Sequence, residues 1–268
     1  MTRIAANLSM LFPDAAFLDR FDRAAAAGFE AVECLFPYDH PVETLLDRLR
    51  RNGLRLTLIN APAGNWAAGE RGFAALPGRQ PEFRESVARA LHYATALGCP
   101  RIHVMSGITA GQLDPAACEA VWLQNMRAAA DMAAGAGLSV SIEPLNDRDV
   151  PGYFLSRQDA ALALIGRLDR RNVSLQFDVY HTQIMEGDII ARIRRLRGAY
   201  GHVQIAGVPD RHEPDQGELN YPAIFAAFDA AGFDGHLGCE YNPRCLTEDG
   251  LSWAVPYLRT ARGGGASL

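Results

Sequence analysis

One junction recurs along this chain and limits what it can fold into. An Ala-rich helical pattern stops at a glycine and a short apolar run follows at once, at Ala27-Gly28-Phe29, Asn52-Gly53-Leu54, Leu97-Gly98-Cys99, Ala136-Gly137-Leu138 and Ala231-Gly232-Phe233. Glycine after a helix takes the left-handed cap conformation without a Cβ penalty, so each junction hands a helix over to a strand. Laying strands there and filling the gaps predicts eight, near residues 3–8, 30–35, 55–60, 101–105, 138–143, 173–178, 201–206 and 236–240. Between them the pattern predicts helices near 14–27, 42–52, 82–97, 115–135, 157–168, 188–196, 221–231 and 247–259. Alternating β and α units imply a parallel sheet, and eight strands close it into a (β/α)8 TIM barrel. The strands carrying Gln176 and His202 are not continuous apolar runs and leave open which face is buried.

A length of 268 residues suits one barrel, which needs about 250. The expected layout is one domain over 1–260 followed by a flexible tail at 261–268, where Gly-Gly-Gly-Ala-Ser-Leu has little to bury. No apolar run of about 18 residues calls for a membrane. With 26 basic against 31 acidic residues, a net charge of −5 and no dense Lys/Arg run, nucleic acid is not an expected partner. Five cysteines without CxxC spacing read as free thiols. The N-terminus has no secretory pattern, so the expected location is the cytoplasm. A homo-oligomer is compatible with the sequence, which does not fix the state.

Four of the later strands end on a side chain able to bind a metal: Glu143 in Ser-Ile-Glu-Pro, Asp178 in Gln-Phe-Asp, Gln204 in His-Val-Gln-Ile and Glu240 in Gly-Cys-Glu-Tyr. Strand ends converge at one mouth of a parallel barrel, where active sites of this fold are built. Three carboxylates and one amide oxygen suit Mg²⁺ or Mn²⁺ better than zinc. About two positions of a six-coordinate shell would remain for substrate. Glu143 and Glu240 are placed to move a proton between neighbouring carbons, with Asp178 and Gln204 as fixed ligands. One acidic strand end alone is as readily a helix cap; four in register argue for a site.

Long loops at 61–81 and 207–220 follow strands three and seven and carry Arg71 and Arg211, side chains that grip carboxylates in a bidentate fork. A small anionic substrate is therefore expected. His181 either orients that substrate or makes a local hydrogen bond in a first helical turn. Glu33 binds a substrate hydroxyl or belongs to a structural ion pair. His103 and His202, inside strands, are expected in the core.

These residues resemble the hydroxypyruvate isomerases of the xylose isomerase-like barrel superfamily. The likeness runs from Ala6-Asn7-Leu8-Ser9-Met10 through Trp66-Ala67-Ala68-Gly69-Glu70-Arg71-Gly72, Ile142-Glu143-Pro144, Asp178-Val179-Tyr180-His181 and His202-Val203-Gln204 to Cys239-Glu240-Tyr241. It implies metal-dependent isomerisation of hydroxypyruvate to tartronate semialdehyde, with Glu143 and Glu240 as paired catalytic carboxylates that also bind the metal. Close relatives are known for the four-carbon 2-oxotetronate, which stands as the alternative substrate. The broader sugar-epimerase relatives have histidine where this chain has Gln204.

Overall fold

The computed structural model describes residues 2–111 and 113–258, so the tail expected at 261–268 lies outside the described residues. Eight strands alternate with helices: β1 Arg3–Asn7, β2 Ala31–Cys34, β3 Arg55–Asn60, β4 Arg101–His103, β5 Ser139–Ile142, β6 Val173–Asp178, β7 Tyr200–Ile205 and β8 His236–Cys239. Each pairs in parallel with the next and β8 closes on β1, giving the expected barrel. Register brings Asn7 beside Glu33 and Asp178 beside Gln204, so side chains from distant sequence positions meet at one level.

All five glycine junctions behave as the sequence predicts. The glycines have φ between 63° and 95°, and the residue after each donates its N–H to a carbonyl five residues back. Phe29 reaches Ala24, Leu54 reaches Leu49, Cys99 reaches Ala94, Leu138 reaches Ala133 and Phe233 reaches Phe228, over 2.8–3.1 Å. This is the Schellman cap, which closes the last helical carbonyls and turns the chain into the sheet.

The helices are α1 Asp19–Ala26, α2 Val42–Asn52, α3 Gln80–Leu97, α4 Pro115–Gly135, α5 Gln158–Leu168, α6 Val179–Met185, α7 Ile189–Arg195 and α8 Tyr221–Ala230. Three elements differ from expectation. α1 starts late, at Asp19, after a stretch of turns that begins past a left-handed Phe12 (φ 58°). α6 was not expected: it starts directly on Asp178, whose side chain caps it. The segment expected as a last α-helix is a 3₁₀ helix, Glu248–Tyr257, which contains Pro256; proline has no N–H to continue an α-helical ladder.

Four cysteines are buried, Cys245 is exposed and none is bridged, as the spacing predicts. Among the described residues no helix is long and apolar enough to cross a membrane. The long loop after β3 folds back on the barrel through a bridge between Gly72 and Ser106. Gly72 (φ 101°) is required there, since a Cβ would lie 2.2 Å from the Met105 carbonyl oxygen. That contact holds Trp66 and Arg71 over the mouth.

Candidate active site

A cavity of about 520 Å³ opens at the C-terminal mouth, walled by Glu143, His181, Arg211 and Glu240, with Arg71 and Trp66 at its rim. Asp178 and Gln204 lie beside and below these residues, 2% and 0% exposed. The structure thus gathers all four strand-end residues at the mouth, as the fold demands.

Asp178 performs two tasks with two oxygens. Oδ1 accepts from the backbone N–H of Tyr180 (2.6 Å) and His181 (3.1 Å), capping α6, while Oδ2 is buried with no hydrogen-bond partner. Oε1 of Glu143 is likewise buried without a partner. Two unsatisfied carboxylate oxygens in one enclosed place cost free energy unless a cation or substrate meets them. Glu143 and Asp178 each bring a carboxylate oxygen within 4.8 Å of the other. The oxygen-rich donor set therefore fits a hard divalent cation.

His181 is held in a way that takes it out of the ligand set. Its Nδ1 accepts from the backbone N–H of Asn146 at 3.0 Å, so in the neutral ring the proton sits on Nε2. Burial, then the charge on Arg211, holds its pKa well below the ordinary value, so the ring stays neutral. A metal-binding histidine usually donates through its second nitrogen. Here Nε2–H, 3.9 Å from Asp178 Oδ2, is a fixed donor facing the cavity, suited to a substrate oxygen.

Glu240 follows β8 and accepts from Arg211 at 2.7 Å and from Asn7 Nδ2 at 3.3 Å. Burial pushes its pKa up to about 8 although Arg211 pulls the other way. Glu143 is raised well above the carboxylate range by burial, then by the charges of Glu240 and Asp178. Buried carboxyls tuned toward neutrality suit proton transfer in both directions. Arg211 has a left-handed backbone (φ 56°), stacks 5.0 Å from the Tyr180 ring and lies 3.8 Å from Asp149. Its guanidinium is thus already turned to acids. Arg71 differs: its NH1 donates to the carbonyls of Trp66 (3.1 Å) and Glu70 (2.7 Å) and its guanidinium lies over the Trp66 ring at 3.7 Å, with no carboxylate partner among the described residues.

Glu33 does not line the cavity. It lies beneath it, 1% exposed, bonded to Asn7, Gln204 and His202. His103 and His202 are buried as expected, yet His103 also reaches the cavity wall, with Nδ1 3.7 Å from Glu143 Oε2. Sequence reasoning missed Asn7 and Gln176. Strand alternation could have found Gln176, because it lies two residues before Asp178 and so faces the same way.

Burial, then the neighbouring His202, lowers the His103 pKa from 6.5 to about 3. Between those values the unfolded chain binds a proton that the folded chain does not, so stability falls as pH drops below 6.5. Comparing His103→Gln with the parent cancels the opposite trend from the raised carboxyls, which both proteins share. In chelated protein the parent should lose about 2 kcal/mol relative to His103→Gln between pH 6.5 and 5, at about 1.4 kcal/mol per pH unit. Urea titrations at the two pH values would read this; a pH-independent difference would mean that His103 protonates in place.

A closed parallel barrel whose mouth holds paired buried carboxyls is an enzyme scaffold with a site built for acid–base chemistry. The comparisons agree: residues 21–259 match the family described as xylose isomerase-like TIM barrel, and the chain belongs to it. It is 54% identical over 258 residues to the 2-oxo-tetronate isomerase of Cupriavidus necator, covering 96% of this chain and 99% of that protein. To the hydroxypyruvate isomerase of Escherichia coli it is 44% identical over 257 residues, covering 96% and 100%. A crystal structure from Brucella melitensis named AP endonuclease, family 2, superposes with a TM-score of 0.95 at 53% identity, covering 96% of this chain and 100% of that one. With isomerases at these identities over nearly its whole length, the chain is an enzyme of the isomerase class.

Proposed function

We propose that this enzyme interconverts 2-oxo-3-hydroxy acids and 2-hydroxy-3-oxo acids by moving a proton between C3 and C2. The observation that carries this is the pair Glu143 and Glu240, two buried carboxyls on opposite arcs of one mouth, each pushed toward neutral pKa. One carboxylate removes the C3 proton, and the electron pair shifts onto the C2 carbonyl oxygen to give an enediolate. The other carboxyl delivers a proton to C2 while the C3 hydroxyl passes its proton to the C2 oxyanion, leaving a carbonyl at C3 and a hydroxyl at C2; exchange with solvent then resets the two carboxyls. His181 Nε2–H donates to the oxygen that gains charge, a role for which a neutral ring with a fixed tautomer is suited.

Glu143, Asp178, Gln204 and Glu240 would hold Mg²⁺ or Mn²⁺. Such a cation would supply Lewis-acid polarisation of the substrate carbonyl. The chain's own part is to orient the acid and exclude water, and the loop carrying Trp66 closes over the mouth for that purpose.

Arg71 carries a charge that no acid of the described chain neutralises, so it is assigned the substrate carboxylate. Arg71→Met should raise KM about 10- to 100-fold with a smaller effect on kcat, the scale of one lost charged hydrogen bond. Steady-state kinetics decide; an unchanged KM would return Arg71 to holding its own loop.

Hydroxypyruvate and 2-oxotetronate share the reacting carbons and differ only in a hydroxymethyl group on C3. The 2-oxo-tetronate isomerases of Cupriavidus necator and Pectobacterium atrosepticum, at 54% and 49%, stand above the hydroxypyruvate isomerase at 44%, and the 2-oxo-tetronate isomerase of Haemophilus influenzae stands below it at 42%; the first two favour the four-carbon acid. A pocket discriminates at this scale by about 10- to 200-fold. The ratio of kcat/KM for the two acids tests it: 2-oxotetronate ahead by about tenfold or more is expected, and hydroxypyruvate ahead would reverse the assignment. Turnover of neither acid, with Mg²⁺ or Mn²⁺ supplied, would end the proposal.

A further inference from the structure

Glu33, the third residue of β2, is the polar hub below the site. Its Oε1 accepts from Asn7 Nδ2 at 3.0 Å and from Gln204 Nε2 at 2.9 Å, and its Oε2 meets His202 Nε2 at 2.7 Å. Room for it comes from Gly238, where a Cβ would lie 2.3 Å from Glu33 Oε1. A carboxylate only accepts, so both amides must turn nitrogen toward Glu33 and oxygen away.

The enforced amide orientation reaches Glu240 on one side and the inward face of β6 on the other. On one side, Asn7 Nδ2 also donates to Glu240 Oε1 at 3.3 Å, while Asn7 Oδ1 accepts from the Ser9 N–H at 3.0 Å. On the other, Gln204 Oε1 accepts from Gln176 Nε2 at 2.6 Å. Gln176 lies two residues before Asp178 on β6 and faces the same way. Asn7, Gln176 and Gln204 are each at most 1% exposed, so water does not compete for these bonds. An amide turned the other way would face Glu33 with its oxygen and leave two acceptors opposed.

We propose that Glu33 is a positioning residue: one buried carboxylate that sets the donor and acceptor sense of Asn7, the amide touching Glu240, and of Gln204, whose oxygen it keeps turned toward Gln176. It rests on the isomerase reading and goes beyond it, since Glu33 touches no substrate.

Glu33→Gln keeps the shape but adds a donor, so Asn7 and Gln204 lose their enforced orientation. The expected result is a kcat at least about tenfold lower with KM changed less than about threefold. Calorimetric Mn²⁺ affinity, measured without substrate, should weaken roughly 10- to 100-fold, as for other residues that orient ligands from behind. Should Glu33→Gln not fold, Asn7→Leu removes the amide between Glu33 and Glu240 with Gln204 and His202 still on Glu33, and should give the same kcat-only loss. Unchanged kcat and Mn²⁺ affinity in the folded variant, or a loss confined to KM, would overturn the proposal. Failure of the isomerase reading is separate, because then the parent protein turns over neither acid while its Mn²⁺ affinity still reports on Glu33.

Discussion

Glu240→Gln and Glu143→Gln should each lower kcat by about 10²- to 10⁴-fold, the usual contribution of a positioned proton-transfer group, while far-UV circular dichroism and the unfolding midpoint stay near those of the parent. The amide is isosteric but cannot accept and return a proton. Neither change should unfold the barrel, because both residues lie at the mouth, outside the strand ladders. Replacing a raised-pKa buried carboxyl by a neutral amide removes a desolvation cost, so a slight gain in stability is the expected direction. The two losses should not multiply: once either glutamate is gone the proton has no complete path, and the double variant should resemble the worse single one. A Glu240→Gln enzyme with parent-like kcat would remove Glu240 from proton transfer.

Arg211→Met is expected to act through Glu240. The guanidinium, 2.7 Å from Glu240 Oε2, opposes the burial that brings this carboxyl to about 8. Removing a cation disfavours the anion, so the Glu240 pKa rises further and the limb of the pH profile that reports its ionisation moves to higher pH. At pH 7 the fraction in the base form falls, and kcat/KM should drop about 10²- to 10³-fold, the cost of one lost charged donor in a closed site. Arg211→Lys should recover part of this, since a point charge remains without the fork. The pH dependence of kcat/KM settles it; a limb that stays in place or moves to lower pH would mean that Arg211 contacts substrate only.

The barrel was legible because its junctions are chemical. Five glycines in left-handed caps mark five helix-to-strand passages, and the remaining strands fall at the spacing these set. α6 escaped for a physical reason as well: Asp178 is both the last residue of a strand and the cap of a helix, and a seven-residue helix shows too little periodicity to announce itself.

At the site, Glu143, Asp178, Gln204 and Glu240 were readable as polar ends of apolar strands. Arg211 and Arg71 were readable as loop cations, but which of them faces an acid of its own chain was not, since that depends on a backbone twist at Arg211 and on stacking over Trp66. The layer beneath was hidden because polar residues inside strands resemble breaks in a core pattern. Alternation resolves them: Gln176 precedes Asp178 by two, His202 precedes Gln204 by two and Gly238 precedes Glu240 by two, so each pair shares the inward face. Glu33 then meets His202 and fills the space that Gly238 leaves, which no single strand reveals.

The central claim is that one glutamate takes the C3 proton and a different one supplies C2. It is tested most directly by running the reaction in D₂O on unlabelled 2-oxotetronate and hydroxypyruvate, trapping in the first turnovers with borodeuteride, which puts deuterium on C3 of product but not of residual substrate, beside an enzyme-free control of the product. Two separate carboxyls predict one deuterium at C2 of essentially every product molecule, above the control. Product that keeps the substrate's own hydrogen at C2 would show direct transfer between the carbons and contradict the account.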